Sequence, residues 1–550
     1  MINYQDHNKW WLGLLILLYL VSIFAPLNIL PLSFEEPRRG IVALEMMISG
    51  NYVMPTINGE LYLNKPPVYN WLLIGLFKLT GSYSEWVVRL PTVLSLLAIA
   101  IINFYFTRKY INYQVALFSS LFFLTSADIY YYFSLYGEID MFYTLIVYLQ
   151  VASIYIFYQK RNYWLLFLVS YFLTVLGLLT KGMPSLAFQA LTLIAGAIAV
   201  KEFRKLFSLA HFAGIGLLLV LTFGYFWWYG YYADPLAFIA NLGNQSTQRT
   251  VADTNLWKSI EHLFTFPFLL IRISLPWILF IVPLFFQKNF KKLKLNSWLM
   301  FGVIFILANI IIYWLSPGTR NRYLYMFLPF IFNVISFSLL NLKTEYPKFN
   351  KLLTWFFGVV IGLVTAGLLV LPFLGIKESE QLELLSLLFF MPSAFILYSF
   401  IRKPAYRILL LLFFMVIIRF FFNATVVPYR AARIAEGKPI KKEMGKILQH
   451  FAGEELNLYA PYRIRILNLK LPGIIDYEEQ FNELLWPPFS LSYYYTAATG
   501  DMLRHNKTLV AGRLYVAEEQ YLPTRDEIEV LYRFAAEKRN TAFVVFKISN

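Results

Sequence analysis

The side chains able to do chemistry fall into a few short polar stretches of this chain. Phe34-Glu35-Glu36-Pro37-Arg38-Arg39 sets two carboxylates beside two guanidiniums, and Leu63-Asn64-Lys65-Pro66-Pro67 adds an ammonium. Later come Glu138 and Asp140 in Tyr136-Gly137-Glu138-Ile139-Asp140, Lys181 in Thr180-Lys181-Gly182, and Arg320 and Arg322 before Tyr323. A carboxylate can take a proton from a hydroxyl or hold a divalent ion. Cations in numbers bind a phosphate and stabilise it as a leaving group.

The elements that must position these groups are hydrophobic. Of 550 residues, 59% are hydrophobic, 19% aromatic and only 15% charged, which marks a polytopic α-helical membrane protein rather than a soluble one. No cysteine is present, so disulfides, thiolate metal sites and cysteine nucleophiles are excluded. Apolar runs of membrane length recur from Trp10–Ile29 to Tyr406–Val427 and predict about thirteen transmembrane helices. The first run lacks a cleavage signature and reads as a retained span.

Alternate connections are short and basic, such as Arg108-Lys109, Lys160-Arg161 and Lys201 to Lys205. The positive-inside rule then puts the N-terminus in the cytoplasm and the polar stretches on the opposite face. These loops also absorb much of the net charge of +16, so nucleic acid is not an expected partner. Within the first outer loop, residues 31–86, Arg38–Ser49 and Pro66–Leu79 predict short helices lying in the interface. From Pro428 the composition changes. Strand-like Leu456–Ala460, Arg463–Leu469, Thr508–Val516 and Ala542–Ile548 alternate with helix-like Lys441–His450 and Thr524–Glu537. The expected organisation is a transmembrane domain, 1–427, and a soluble α/β domain, 428–550, on the outer face.

A donor that is both phosphorylated and lipid-linked suits such a site, with its tail in lipid and its head among the cations. Carboxylate plus phosphate cradle is what glycosyl transfer from a polyprenyl phosphate-sugar requires. Glu35-Glu36-Pro37-Arg38, Gly50-Asn51-Tyr52-Val53, Asn58-Gly59, Lys65-Pro66-Pro67 and Trp71 resemble the first outer loop of GT-C superfamily glycosyltransferases. More narrowly they resemble the protein O-mannosyltransferase-like group that includes the bacterial aminoarabinose transferase acting on lipid A. The likeness continues through Arg89-Leu90-Pro91, Asp140, Lys181 and Arg322 to Pro329.

The resemblance implies a GT-C fold in the bacterial inner membrane, with the site and the C-terminal domain periplasmic. It implies an inverting transfer from an undecaprenyl phosphate-sugar to lipid A, another glycan or a protein hydroxyl. Glu35 falls where the family has its catalytic Asp and would deprotonate the acceptor, with Glu36 supporting it or helping hold a metal, and Asp140 as the second acid. Arg38, Lys65, Lys181, Arg320 and Arg322 would meet the donor phosphate. Some relatives carry Glu where Asn64 stands, so a divalent ion is a possible cofactor, with His262 its best-placed histidine ligand.

Plainer readings stand beside these. Acids near a helix start favour its dipole, and an interfacial lysine extends its charge to water. Arg272 and Arg419, inside apolar runs, read as structural pairs or as snorkelling groups. A transporter or lipid flippase would carry mid-membrane charges, broken helices and internal repeats. A noncatalytic glycan-binding protein would have no need of Glu35.

Overall fold

In the computed structural model the described residues are 7–247, 256–285, 287–340, 342–374, 381–433, 437–485, 489–523, 528–536 and 541–548. Helix α1 (His7–Phe24) leads to the first loop, which holds α2 (Glu36–Ser49), a small hairpin of β1 (Thr56–Ile57) and β2 (Glu60–Leu61), and α3 (Val68–Thr80). Then follow α4 (Glu85–Tyr110), α5 (Tyr113–Leu124), α6 (Ala127–Tyr131), α7 (Ile139–Gln159), α8 (Tyr163–Lys181), α9 (Pro184–Ala199) and α10 (Leu209–Tyr229). Next come α11 (Pro235–Thr247), α12 (Leu256–Ile273), α13 (Gln287–Leu295), α14 (Ser297–Trp314) and α15 (Leu328–Leu340). Helices α16 (Leu342–Glu345), α17 (Pro347–Val370), α18 (Leu382–Arg402) and α19 (Arg407–Arg433) complete the bundle.

Among the described residues, ten helices are long and apolar enough to cross a membrane, or up to twelve if each bent pair counts as one span. The expectation of about thirteen spans therefore needs a correction with a physical reason. Two of the apolar runs break, by 42° after α5 and by 117° after α12, and a third, α9, is too short to pass. Apolar composition does not reveal such breaks. Side-chain caps fix several helix starts: Asn112, Asn162, Ser208 and Asn296 each accept a backbone N–H of the following turn. All four sit at the basic-loop ends. Helix α19 runs through Pro428, past the expected domain boundary.

The C-terminal part has α20 (Gly437–His450), β3 (Leu456–Leu458), β4 (Tyr462–Leu471), β5 (Ile475–Leu484), α21 (Phe489–Thr499), β6 (Leu514–Glu518), β7 (Ile528–Ala536) and β8 (Thr541–Ile548). A four-stranded sheet runs β3-β6-β8-β7, with only β3–β6 parallel, while β4 and β5 form a separate hairpin. The helix expected over Thr524–Glu537 is strand β7 where it is described. Its pairing with β8 outweighs a helix-like composition.

This sheet does not stand apart from the membrane part. Ile41, Leu44 and Met46 of α2 share one buried core with Ile440 and Met444 of α20, Leu491 and Tyr493 of α21, and Val516 of β6. At Gly40 an added Cβ would lie 2.3 Å from the Tyr493 ring, so α2 and α21 meet closely only because residue 40 is glycine. Asn58, at the tip of the first-loop hairpin, donates to Ser492 Oγ at 2.8 Å and to Leu503 O at 2.7 Å.

Candidate active site

The site begins at a sharp turn. Phe34 has φ of 56°, a conformation that costs a bulky residue energy and marks a backbone held by its surroundings. The two acids after it go separate ways. Glu36 turns inward and is fully buried, bonding Arg89 Nε at 2.7 Å and Nη2 at 3.0 Å, with Ser33 N and Gly137 N also donating to it. Arg89 spends its remaining donors on the carbonyls of Leu27, Leu30 and Pro31. The carboxylate expected to support Glu35 or hold a metal is thus fully engaged in joining α1, α2, α4 and the 136–138 loop. That is a correction, and it gives the Arg89-Leu90-Pro91 motif a structural meaning.

The bond to Gly137 also aims the next acids. A Cβ at residue 137 would sit 2.5 Å from Val88 O, so only glycine passes here. Thr92 Oγ1 accepts from Glu138 N and donates to Glu138 O, fixing the residue on both sides. Asp140, in the first turn of α7, pairs with Lys181 Nζ at the end of α8 at 2.6 Å. Arg322 then joins the pieces, bonding Glu138 Oε1 at 2.7 Å and lying 3.4 Å from Asp140 Oδ2. Its turn is anchored by Asn321 and Tyr325, both of which donate to Asp128.

Glu35 closes the cluster at its more open edge, 3.0 Å from Arg38 and 3.6 Å from Arg39. Arg38 lies over the Phe489 ring at 4.5 Å, and Arg39 donates to the Tyr62 hydroxyl at 2.9 Å. Burial pulls the Glu35 pKa upward, but Arg39, Arg38, Arg322 and Arg320 outweigh it and hold the carboxyl below its ordinary value. Glu138 moves the opposite way. Burial dominates there, Arg322 opposes it, Asp140 adds repulsion, and the pKa is pushed up to about 7. The cluster also keeps unspent hydrogen-bonding capacity. Glu138 Oε2, the Tyr69 hydroxyl, and Nε of Arg38 and Arg39 are buried without a hydrogen-bond partner. Such capacity is what a polar ligand would engage.

Of the expected residues, the structure brings together Glu35, Arg38, Asp140, Lys181 and Arg322, while Arg320 is exposed and acts on Glu35 through its charge. Lys181 is less open than expected. Besides Asp140, its ammonium lies over the rings of Tyr143 and Tyr323 at 4.8 and 4.5 Å. Lys65 contacts α11 instead, donating to Gln245 at 3.1 Å. Asn64 Oδ1 accepts from Gln245 at 2.9 Å, so its amide stitches the loop to α11.

His262 Nε2 donates to Tyr313 O at 3.1 Å, and the ring packs against Phe266. Among the described residues no three His, Asp or Glu side chains converge to hold a metal. With an amide at 64 and no group of three donors around His262 among the described residues, these residues do not fit a metal, and the expected His262 ligand is corrected to a helix-packing contact. Arg419 is buried, donating to Tyr130 O and Ser134, which fits the structural reading made for it. Sequence reasoning counted Glu138 among the carboxylates of this face without giving it a role, and missed Tyr69, which nothing distinguished from the many interfacial tyrosines.

Comparison with known proteins adds to this geometry. Residues 64–228 match the family model of dolichyl-phosphate-mannose-protein mannosyltransferase. The chain is 24% identical over 274 residues to an uncharacterized protein of Aquifex aeolicus (strain VF5), covering 49% of this chain and 52% of that protein. The match thus spans about half the length of that curated relative. ArnT from Cupriavidus metallidurans bound to undecaprenyl phosphate superposes over 98% of each chain, with a TM-score of 0.68 and 16% identity. Its apo state gives 0.65 at the same identity and coverage. The chain shares the ArnT fold over 98% of its length, and the mannosyltransferase family model matches a stretch that begins inside the first loop.

Proposed function

We propose that this GT-C-fold chain is an inverting glycosyltransferase that moves a sugar from an undecaprenyl phosphate-sugar donor to an acceptor at the periplasmic face of a bacterial inner membrane. The observation that carries the reading is the cluster itself. Carboxylates Glu35, Glu138 and Asp140 stand among Arg38, Arg39, Lys181, Arg320 and Arg322, at one end of the bundle, in a fold whose ArnT relative was solved with undecaprenyl phosphate. The cations exceed the acids, which favours an anionic ligand.

In this reading the acceptor hydroxyl attacks the anomeric carbon as the bond from that carbon to the lipid phosphate breaks. The departing electron pair stays on the phosphate, whose charge Arg322 and Arg38 stabilise, with Arg320 and Lys65 at the approach. The proton goes to a carboxylate. Glu35 is the more accessible and stays ionised, as a base must. Glu138, poised near neutral pH, suits the same task from a deeper position. Basic loops at the opposite bundle end support a cytoplasmic N-terminus. Lipid A, another glycan or a protein hydroxyl all suit as acceptor.

The test loads membranes with a panel of radiolabelled polyprenyl phosphate-sugars and compares wild type with Glu35→Gln. Transfer by wild type that collapses in the variant is expected. Donor translocated across proteoliposomes with no transfer from any donor would instead make the protein a flippase.

A further inference from the structure

The β4–β5 hairpin has no sheet of its own to belong to. It pairs only with itself over its full length, from Tyr462↔Leu484 to Leu471↔Ile475, and an isolated two-stranded ribbon needs support to persist in water. Half of that support is visible. Leu467, Leu469, Tyr477 and Phe481 pack into one apolar cluster with Tyr225 and Tyr229 at the site-face end of α10 and with Phe238 of α11. Tyr477 also lies within reach of Asp234, in the turn that joins those two helices.

Beyond that contact the hairpin extends into open space, and its bend is built from the wrong residues for water. Pro472-Gly473 is an ordinary turn pair, but it is flanked by Leu471 and Ile474, both exposed, Ile474 by 81%. Pro472 has no N–H, and Ile474 N bonds back to Leu471 O at 2.9 Å as in an ordinary β-turn. A turn that exposes apolar side chains on both sides of Pro-Gly suits a medium poorer in water than bulk solvent.

The neighbouring surface identifies that medium. The end of α10 that the hairpin leans on exposes Trp227 and Trp228, and the turn that follows it exposes Tyr231 and Tyr232. Tryptophan and tyrosine gathered at a span end are the signature of the lipid–water boundary. Behind the bend, Lys470 and Asp476 form an exposed pair, 3.6 Å apart, of the kind that suits headgroups and water.

We propose that the β4–β5 hairpin is a membrane-docked finger whose bend, Leu471 to Ile475, sits in the headgroup–acyl boundary of the leaflet on the site's face. The soluble-looking C-terminal part is thereby held to lipid at a second point, apart from its packing on α2. The same hairpin covers Leu63 and Val68, which flank the Lys65 segment, so lipid contacted by the finger stands next to that segment.

The chain has no cysteine, so a single introduced one can be labelled uniquely in the full protein. Ile474→Cys and Leu471→Cys, with Asp501→Cys as a water-exposed reference in the same region, would carry a nitroxide in nanodiscs of phosphatidylethanolamine and phosphatidylglycerol. Collision of the label with oxygen, which partitions into lipid, and with a nickel chelate, which stays in water, gives its depth. The expected result is a several-fold higher oxygen-to-nickel ratio at 474 and 471 than at 501. Equal ratios at all three positions would put the bend in water and overturn the proposal. Shielding from both reagents with spin–spin broadening would mean a second copy of the chain covers it, which overturns it equally.

Discussion

Glu35 and Glu36 are covalent neighbours that end in two opposite kinds of charge cluster. Glu36 and Arg89 form a closed knot in which every guanidinium donor has a partner and neither side chain is exposed. Glu35 belongs to an open cluster, about a quarter exposed at its edge, where several buried polar atoms have no partner. Both clusters are expensive to build in a greasy protein. Only the second has anything left to offer a ligand. The difference shows that charge near a membrane is not itself the sign of a site; unspent hydrogen-bonding capacity is the sharper one.

Substitutions can break that contrast in order of size. Glu35→Gln should lower transfer by about 10²–10⁴-fold while leaving the thermal unfolding midpoint in detergent unchanged. Full transfer by this variant would sink the role given to Glu35. Glu36→Ala or Arg89→Met should do the reverse, losing about 3–5 kcal/mol of stability because the surviving partner is left as a buried unpaired charge. Thermal unfolding monitored by size-exclusion fluorescence checks this, and a well-folded Arg89→Met protein would show that the knot is not structural.

Smaller effects sharpen the contrast within the open cluster. Arg322→Ala should weaken binding of undecaprenyl phosphate by roughly 1.5–3 kcal/mol, the range for a hydrogen bond to a charged group. Lys65→Ala, whose ammonium rests against Gln245, should cost less, on the order of 1 kcal/mol. Unchanged affinity in both would mean the phosphate lies elsewhere. A last effect concerns pH. The folded pKa of Glu138, about 7, exceeds its ordinary 4.5, so the folded state holds this proton more tightly than the unfolded one. The stability this gives is complete below about pH 4.5 and is lost as pH rises through 7. Glu138→Gln should flatten that slope, whereas a slope unchanged by the substitution would place its origin at another group.

Much of the open cluster could be read from the chain because sidedness is simple arithmetic. Once alternate loops are basic, Glu35, Asp140, Lys181 and Arg322 must share the opposite face, and the structure pairs Asp140 with Lys181 and Arg322 while Glu35 lies near enough to feel the charge of Arg322. The closed knot was not readable, since nothing in Glu35-Glu36 says which of two identical side chains turns inward. That depends on the Phe34 turn and on Arg89, more than fifty residues away. His262 misled because position relative to a span says nothing about the Tyr313 carbonyl waiting across the helix pair. Strand β7 misled because a segment rich in Glu, Arg and Ala takes its conformation from β8, a partner that local propensity does not see.

The burial of α2 against α21 has a consequence for the order in which this protein can be made. The N-terminal helix that carries Arg38 and Arg39 rests on residues translated hundreds of positions later, with Leu32 N bonded to the Tyr494 hydroxyl and Asn58 to Ser492. Every helix of the bundle, and the C-terminal part as far as α21, must therefore be made before the underside of α2 is covered. Until then its Ile41, Leu44 and Met46 face the interface without a partner. Contacts this distant along the chain form late, so a polypeptide cut before α21 would not be a weaker version of the protein but one whose first loop was never finished.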